Sequence, residues 1–244
     1  MTLEEYLVFA GAILLCAIFS GVASIKVKST FKKYAKVSTQ SRMTGYDTAV
    51  RLLRAGGVTD IRVQRVSGML TDHYHPTKKV VNLSQSTFGD PSVAAVAVAA
   101  HEIGHVMQKK KGYFPYKIRA VLVPAANIGS RLAFPLVIVG VLLSLLTAGT
   151  YMEAWGVWFA LAGVVAYGMS TLFTLVTLPV ELNASRRAAK MLQEEGILTA
   201  EEMPAAKKVL TAAAMTYVAA LVTSLVYFLR FTLWVSRFIG RRRD

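Results

Sequence analysis

Long apolar blocks restrict this chain more than any other feature. They run from Tyr6 to Ile25, from Val121 to Tyr151, from Trp155 to Val180 and from Thr211 to Leu229, with few or no charges inside them. About 18 or more such residues in a row predict a helix that crosses hydrocarbon, because a helix satisfies its own backbone where no water can. Composition agrees. Of 244 residues, 54% are hydrophobic and 17% charged, against about 25% charged in an ordinary soluble domain. A soluble globular enzyme, a disordered tail and a disulfide scaffold are therefore excluded. The single cysteine, Cys16, lies inside the first block and reads as a small lipid-facing hydrophobe. That block is not a cleaved signal peptide. Glu4 and Glu5 precede it and Lys26, Lys28, Lys32, Lys33 and Lys36 follow it, the reverse of a signal's charge order.

Lysine and arginine orient the blocks. Most of the 28 basic residues fall in segment 26–119, and Arg186, Arg187, Lys190, Lys207 and Lys208 fall in segment 181–210. The Gly149–Glu153 turn has none, and Tyr151 within it and Trp155 and Trp158 after it suit an interfacial aromatic belt. Positive charge marks the cytoplasmic side, so both basic segments are expected there, with the N-terminus outside. The chain then divides into a transmembrane helix at 1–25, a cytoplasmic segment at 26–119, and transmembrane helices at 120–151 and 155–180. A second cytoplasmic segment at 181–210 precedes a final segment at 211–244. In that last segment Arg230 breaks the apolar run, and a full span would carry Arg237, Arg241, Arg242 and Arg243 outside, against the charge rule. A fourth span, a re-entrant hairpin and a surface-lying amphipathic end are all consistent with it. The net charge of +14 serves topology and contact with anionic lipid. No nucleic acid is expected, because no aromatic interleaving or binding motif accompanies the charge.

Within 26–119 the pattern predicts a small mixed domain. Thr44–Ala55 reads as a short amphipathic helix stopped by Gly56 and Gly57. Val58–Val66 alternates as a half-buried strand, and Gly68–Leu70 and Val80–Leu83 read as further strands around an Asp72–Lys79 turn. Asp90 caps and Pro91 opens an alanine-rich helix from Ser92 to about Lys110. The Val80–Leu83 strand is expected to offer an edge to an extended peptide.

The alanine-rich helix carries His101-Glu102-Ile103-Gly104-His105. Histidines four apart share one helix face and can reach one ion, which imidazole chemistry predicts to be Zn2+. Glu102 is placed to take a proton from a metal-bound water. A catalytic zinc needs a third protein ligand and an open fourth position. The candidates are His73, His75 and Glu181, the last at the cytoplasmic end of the third span, where it also reads as an ordinary interfacial charge. Tyr74, His73, Arg186 and Arg187 are candidate donors to a developing oxyanion.

Several of these segments, taken together, resemble one family. Val80-Val81-Asn82-Leu83-Ser84, Ala99-Ala100-His101-Glu102-Ile103-Gly104-His105 and Leu178-Pro179-Val180-Glu181-Leu182-Asn183-Ala184-Ser185-Arg186-Arg187-Ala188 are similar to the YugP-type membrane zinc metallopeptidases, as is Asp72-His73-Tyr74-His75-Pro76. More distantly the layout resembles the HtpX proteases and the CAAX prenyl endopeptidase, gluzincins in which a glutamate after a span is the third ligand. The resemblance implies that Glu181 takes that position. Ser185 stands where those families have aspartate, as a group that orients a zinc-bound histidine. The implied protein is mainly α: a polytopic membrane protein with three to four transmembrane helices and a small cytoplasmic α+β gluzincin-like metalloprotease domain. It would be a multi-pass cell-membrane endopeptidase facing the cytoplasm, acting on protein or membrane-protein substrates, with a larger membrane protease assembly compatible with the sequence. A non-proteolytic assembly or adaptor protein that keeps a zinc site is the alternative.

Overall fold

The computed structural model describes residues 2–240. Its elements run α1 (Leu3–Tyr34), α2 (Gly45–Ala55), β1 (Arg62–Val66), β2 (His73–His75), β3 (Val80–Ser84), α3 (Gln85–Phe88), α4 (Val93–Lys110), α5 (Phe114–Leu146), α6 (Glu153–Glu194) and α7 (Met203–Gly240). The protein is mainly α, and α1, α5, α6 and α7 are each long and apolar enough to cross a membrane. The final segment is thus a fourth candidate span. It is one continuous helix from Met203 to Gly240, so the re-entrant hairpin does not form. Arg241, Arg242 and Arg243 of the basic tail lie outside the described residues.

The chain forms two compact units. The first consists of Met1–Ser20, Lys117–Leu178 and Val218–Asp244, within which the described residues are all helical apart from Thr2 and the turn joining α5 to α6. Its helices approach closely through small residues, as is usual where lipid removes the hydrophobic drive between helices. A Cβ on Gly140 would lie 2.6 Å from the Gly156 carbonyl oxygen, so α5 and α6 meet at a glycine pair. Hydroxyls add cross-links: Ser170 Oγ donates to the Ala126 carbonyl at 3.0 Å, and Ser224 Oγ to Thr171 Oγ1 at 2.9 Å. Leu7, Leu14 and Leu15 on α1 and Phe134 on α5 are exposed, the surface lipid would cover. Cys16 is not among them. It is 5% exposed and packs inside the unit, correcting the lipid-facing reading.

Gly21–Tyr116 and Pro179–Tyr217 form the second unit. Its centre is α4, in which Val93, Ala94, Ala95, Val96, Ala97, Ala99 and Ala100 are fully buried. Side chains this small let neighbouring elements close in around the helix. Leu52 and Leu53 of α2, Val81 and Leu83 of β3, and Ala188 and Leu192 of α6 share its core. The helix α2 is held at its start by a reciprocal cap: Thr44 Oγ1 accepts from the Asp47 amide and Asp47 accepts from the Thr44 amide. Such a cap contributes about 1 kcal/mol. At its end Gly57 takes a φ of +62°, where a side chain would be strained.

The sheet order is β1-β3-β2, with β1 parallel and β2 antiparallel to β3. Three strand expectations are corrected. The first strand starts at Arg62, not Val58. Gly68–Leu70 is a bend, since Gly68 and Leu70 have φ of +98° and +58° and cannot extend; the strand forms instead at His73–His75. Val80–Ser84 is central and buried along its whole length, so it has no free edge, and the edge strand on that side is β2. The cap of α4 also differs. Ser92 Oγ accepts from the Ala95 amide at 3.2 Å, while Asp90 accepts from Ser92 one step earlier.

Gly104 sits where α4 crosses α6. A Cβ there would lie 2.5 Å from the Ala184 carbonyl oxygen, backbone that cannot step aside. Gly104→Ala gains helix propensity, but overpacking costs about 1–3 kcal/mol. We expect a lower melting temperature, read by thermal unfolding of the detergent-solubilised protein. An unchanged or raised value would mean that the two helices separate without strain.

Candidate metal centre

Helix α4 brings His101, Glu102 and His105 to one place, and α6 brings Glu181 to meet them. His101 Nε2 lies 3.2 Å from Glu181 Oε2, and His105 Nε2 lies 3.3 Å from the same oxygen. These three residues are, among the described ones, the group of histidine, cysteine or carboxylate ligands gathered closely enough to hold an ion, all within 4.8 Å of one another. Glu181 is 1% exposed, and Glu102 and His105 are each 8% exposed. A carboxylate so fully removed from water needs positive charge beside it.

The other face of each imidazole is also fixed. With its Nδ1 protonated, His101 donates to Ser185 Oγ at 3.2 Å, and His105 donates to Gln108 Oε1 at 3.0 Å. Gln108 Nε2 in turn donates to the Val180 carbonyl at 2.7 Å and to Asn183 Oδ1 at 3.1 Å. Arg187 Nε donates to the same Asn183 oxygen at 2.7 Å. Protonation at Nδ1 leaves both Nε2 lone pairs turned toward Glu181, the tautomer a metal ligand requires. Gln108 is a site residue that sequence reasoning missed. Its one signal was its place three residues after His105, on the same helix face.

Glu102 stands apart from the other carboxylate. Burial pushes its carboxyl up to about 7, opposed by His101 and by a hydrogen bond from the Tyr74 amide, and reinforced by the charges of Asp72 and Glu181. A group tuned near neutrality can both accept and release a proton. The Tyr74 amide bond also ties β2 to the site. The Tyr74 hydroxyl is pushed up to about 12, chiefly by burial and secondarily by Tyr116.

The remaining candidates are not drawn into the cluster. His73 Nε2 accepts from Asn82 Nδ2 at 2.8 Å and its Nδ1 faces the Thr71 carbonyl at 2.9 Å, so both ring nitrogens are engaged on the sheet. His75 Nδ1 accepts from the Lys78 amide within the following turn. Arg186 is exposed on α6. Arg187, committed to Asn183, lies 5.8 Å from the centre of the Tyr113 ring.

Residues 9–236 match the family described as "Putative neutral zinc metallopeptidase". The protein called "Putative membrane protease YugP" from Bacillus subtilis (strain 168) is 41% identical over 212 residues, covering 86% of this chain and 89% of that protein. No solved structure matches the chain.

Proposed function

Because the chain belongs to this zinc metallopeptidase family, we propose that it is a membrane-embedded endopeptidase with a zinc centre at His101, His105 and Glu181. One observation carries the reading: a single buried carboxylate oxygen lies 3.2 and 3.3 Å from two imidazole nitrogens. Donors about 2.0–2.1 Å from a tetrahedral zinc stand about 3.4 Å from one another. The donor set fits the ion in chemistry, and the two separations between Glu181 and the imidazoles fit its spacing. Three protein ligands leave a position for substrate, whereas a structural zinc closes its shell with four. A buried Glu102 beside the ligands argues further against a mere staple.

When bound, zinc polarises the scissile carbonyl and acidifies a water. The chain's own residues do the rest. His101, His105 and Glu181 would hold the ion, and Ser185 and Gln108 keep the imidazoles in register. Glu102 accepts the proton of the attacking water on its carboxylate and delivers it to the leaving nitrogen. The Tyr74 amide fixes that carboxylate, and β2 presents the sheet edge beside it, where an extended substrate can pair. Segments 26–119 and 181–210 are read as cytoplasmic from their basic charge, so the substrates are proteins or membrane proteins at the cytoplasmic surface.

Membrane vesicles test activity and sidedness together. An unstructured protein added to inside-out vesicles holding the zinc-loaded chain should be cut at internal bonds, and the same protein added to right-side-out vesicles should stay intact. Cutting only in right-side-out vesicles would reverse the orientation, and cutting in neither would remove the peptidase assignment.

A further inference from the structure

Arg230 interrupts the apolar run of α7 inside the helical unit. Its surroundings are aromatic. Tyr6 of α1, Phe134 of α5, Tyr167 of α6 and Tyr227, Phe231 and Trp234 of α7 line, with Arg230, a cavity of about 590 Å³. That volume lies in the range of small-ligand sites. The guanidinium carbon of Arg230 stands 5.9 Å from the Tyr6 ring centre, a cation–π contact. No carboxylate pairs with it among the described residues. Two helical turns later the situation is the opposite: both terminal nitrogens of Arg237 bond the Glu5 carboxylate. The fold neutralises one arginine of α7 and leaves the other facing a groove.

An arginine within a span is costly unless it pairs with an anion or a backbone carbonyl or reaches the interface. A ring quadrupole offsets only part of that cost. We propose that the groove is a binding site for an anionic phospholipid, with its phosphate on Arg230 and an acyl chain along Phe134 and Phe231. A guanidinium pairs with phosphate through two parallel hydrogen bonds. The tyrosines and Trp234 have apolar bodies with polar tips, the residues that suit headgroup depth. A peptide carboxylate is the weaker fit. Every wall of the groove is helical, so its backbone groups are already bonded and cannot pair with an extended chain. This site does not depend on the zinc centre.

Native mass spectrometry of the full chain with equal amounts of an anionic phosphatidylglycerol and a zwitterionic phosphatidylcholine tests the assignment. The wild type should retain one phosphatidylglycerol selectively. Arg230→Leu should lower that retention by about tenfold or more, while Arg230→Lys, which keeps the charge, should retain an intermediate share. A second reading uses phosphatidylglycerol with brominated chains in a Trp155→Phe, Trp158→Phe background. Quenching of Trp234 fluorescence should be present with Arg230 and absent in Arg230→Leu. Equal retention of the two lipids, or retention and quenching unchanged in Arg230→Leu, would overturn the proposal. So would displacement of the lipid by inorganic phosphate or by a short apolar peptide with a free C-terminus.

Discussion

Glu102→Gln is expected to keep zinc at one ion per chain while lowering peptide hydrolysis by about 10²–10⁴-fold, the usual contribution of a positioned general base. Glutamine has nearly the shape of glutamate but cannot take a proton. It also stays neutral in a site where burial already favours the neutral acid. The two readouts separate the roles. Zinc content, measured by atomic absorption, reports on the ligands, and cleavage reports on the base. The raised pKa adds a sign that can be checked in the metal-free protein. Between pH 4.5 and 7 the unfolded chain has released the Glu102 proton while the fold still holds it, so this group's contribution to stability falls as pH rises. Its cost at pH 8 is about 3 kcal/mol, from about 1.36 kcal/mol per unit. Metal-free Glu102→Gln should therefore melt above metal-free wild type at pH 8, and the difference should shrink toward pH 4. Normal cleavage by Glu102→Gln would remove Glu102 from the mechanism.

Glu181→Ala is expected to weaken zinc binding by far more than about 100-fold, the upper range for losing a group that only orients a ligand. Its carboxylate oxygen is shared by both imidazoles at 3.2 and 3.3 Å, and removing it leaves two donors, too few to hold zinc against water. Competition with a chromophoric chelator measures the change. Glu181→Gln separates the metal role from a purely ionic one. If the carboxylate merely balanced protonated histidines, the amide would leave zinc affinity unchanged. If it is a ligand, affinity should fall nearly as far as in Glu181→Ala. Ser185→Ala makes the scale internal, since the Ser185 hydroxyl bonds the far nitrogen of His101.

How much of this could be read from residues alone depends on how local the signal is. The apolar blocks became four long helices because length and composition decide a span without reference to any partner. The α2 helix was equally plain: an amphipathic run stopped by Gly56 and Gly57, to which the structure adds the Thr44–Asp47 cap. Around α4 the local signals competed. Asp90 reads as the cap, but Ser92 bonds the Ala95 amide of the first helical turn while Asp90 bonds the Ser92 amide. In the sheet, β2 is three polar or aromatic residues at an edge and shows no alternation, while Gly68–Leu70 looked extended but is bent by positive φ at Gly68 and Leu70. The fourth segment was obscured by Arg230, which one continuous helix carries into an aromatic groove.

The histidine pair was legible because both ligands and the base lie within five residues of one helix. Glu181 was not legible in that way. It is 80 residues from His101 in sequence, and no periodicity relates one helix to another. What pointed to it was its place at the end of a span and the resemblance of the segment around it. Gln108 shows the remaining gap: its role exists only because Val180 and Asn183 of α6 come to meet it.

On the proposed reading, the three-residue centre makes this chain a zinc-dependent peptidase. The most direct measurement is a zinc titration of cleavage, using the purified full-length chain stripped of metal by a chelator and an unstructured protein as substrate. The stripped chain should cut nothing, and activity should return in proportion to added zinc and level off at one ion per chain. Cleavage that persists in the stripped chain, or a chain filled with one zinc that cuts no peptide bond, would contradict the account.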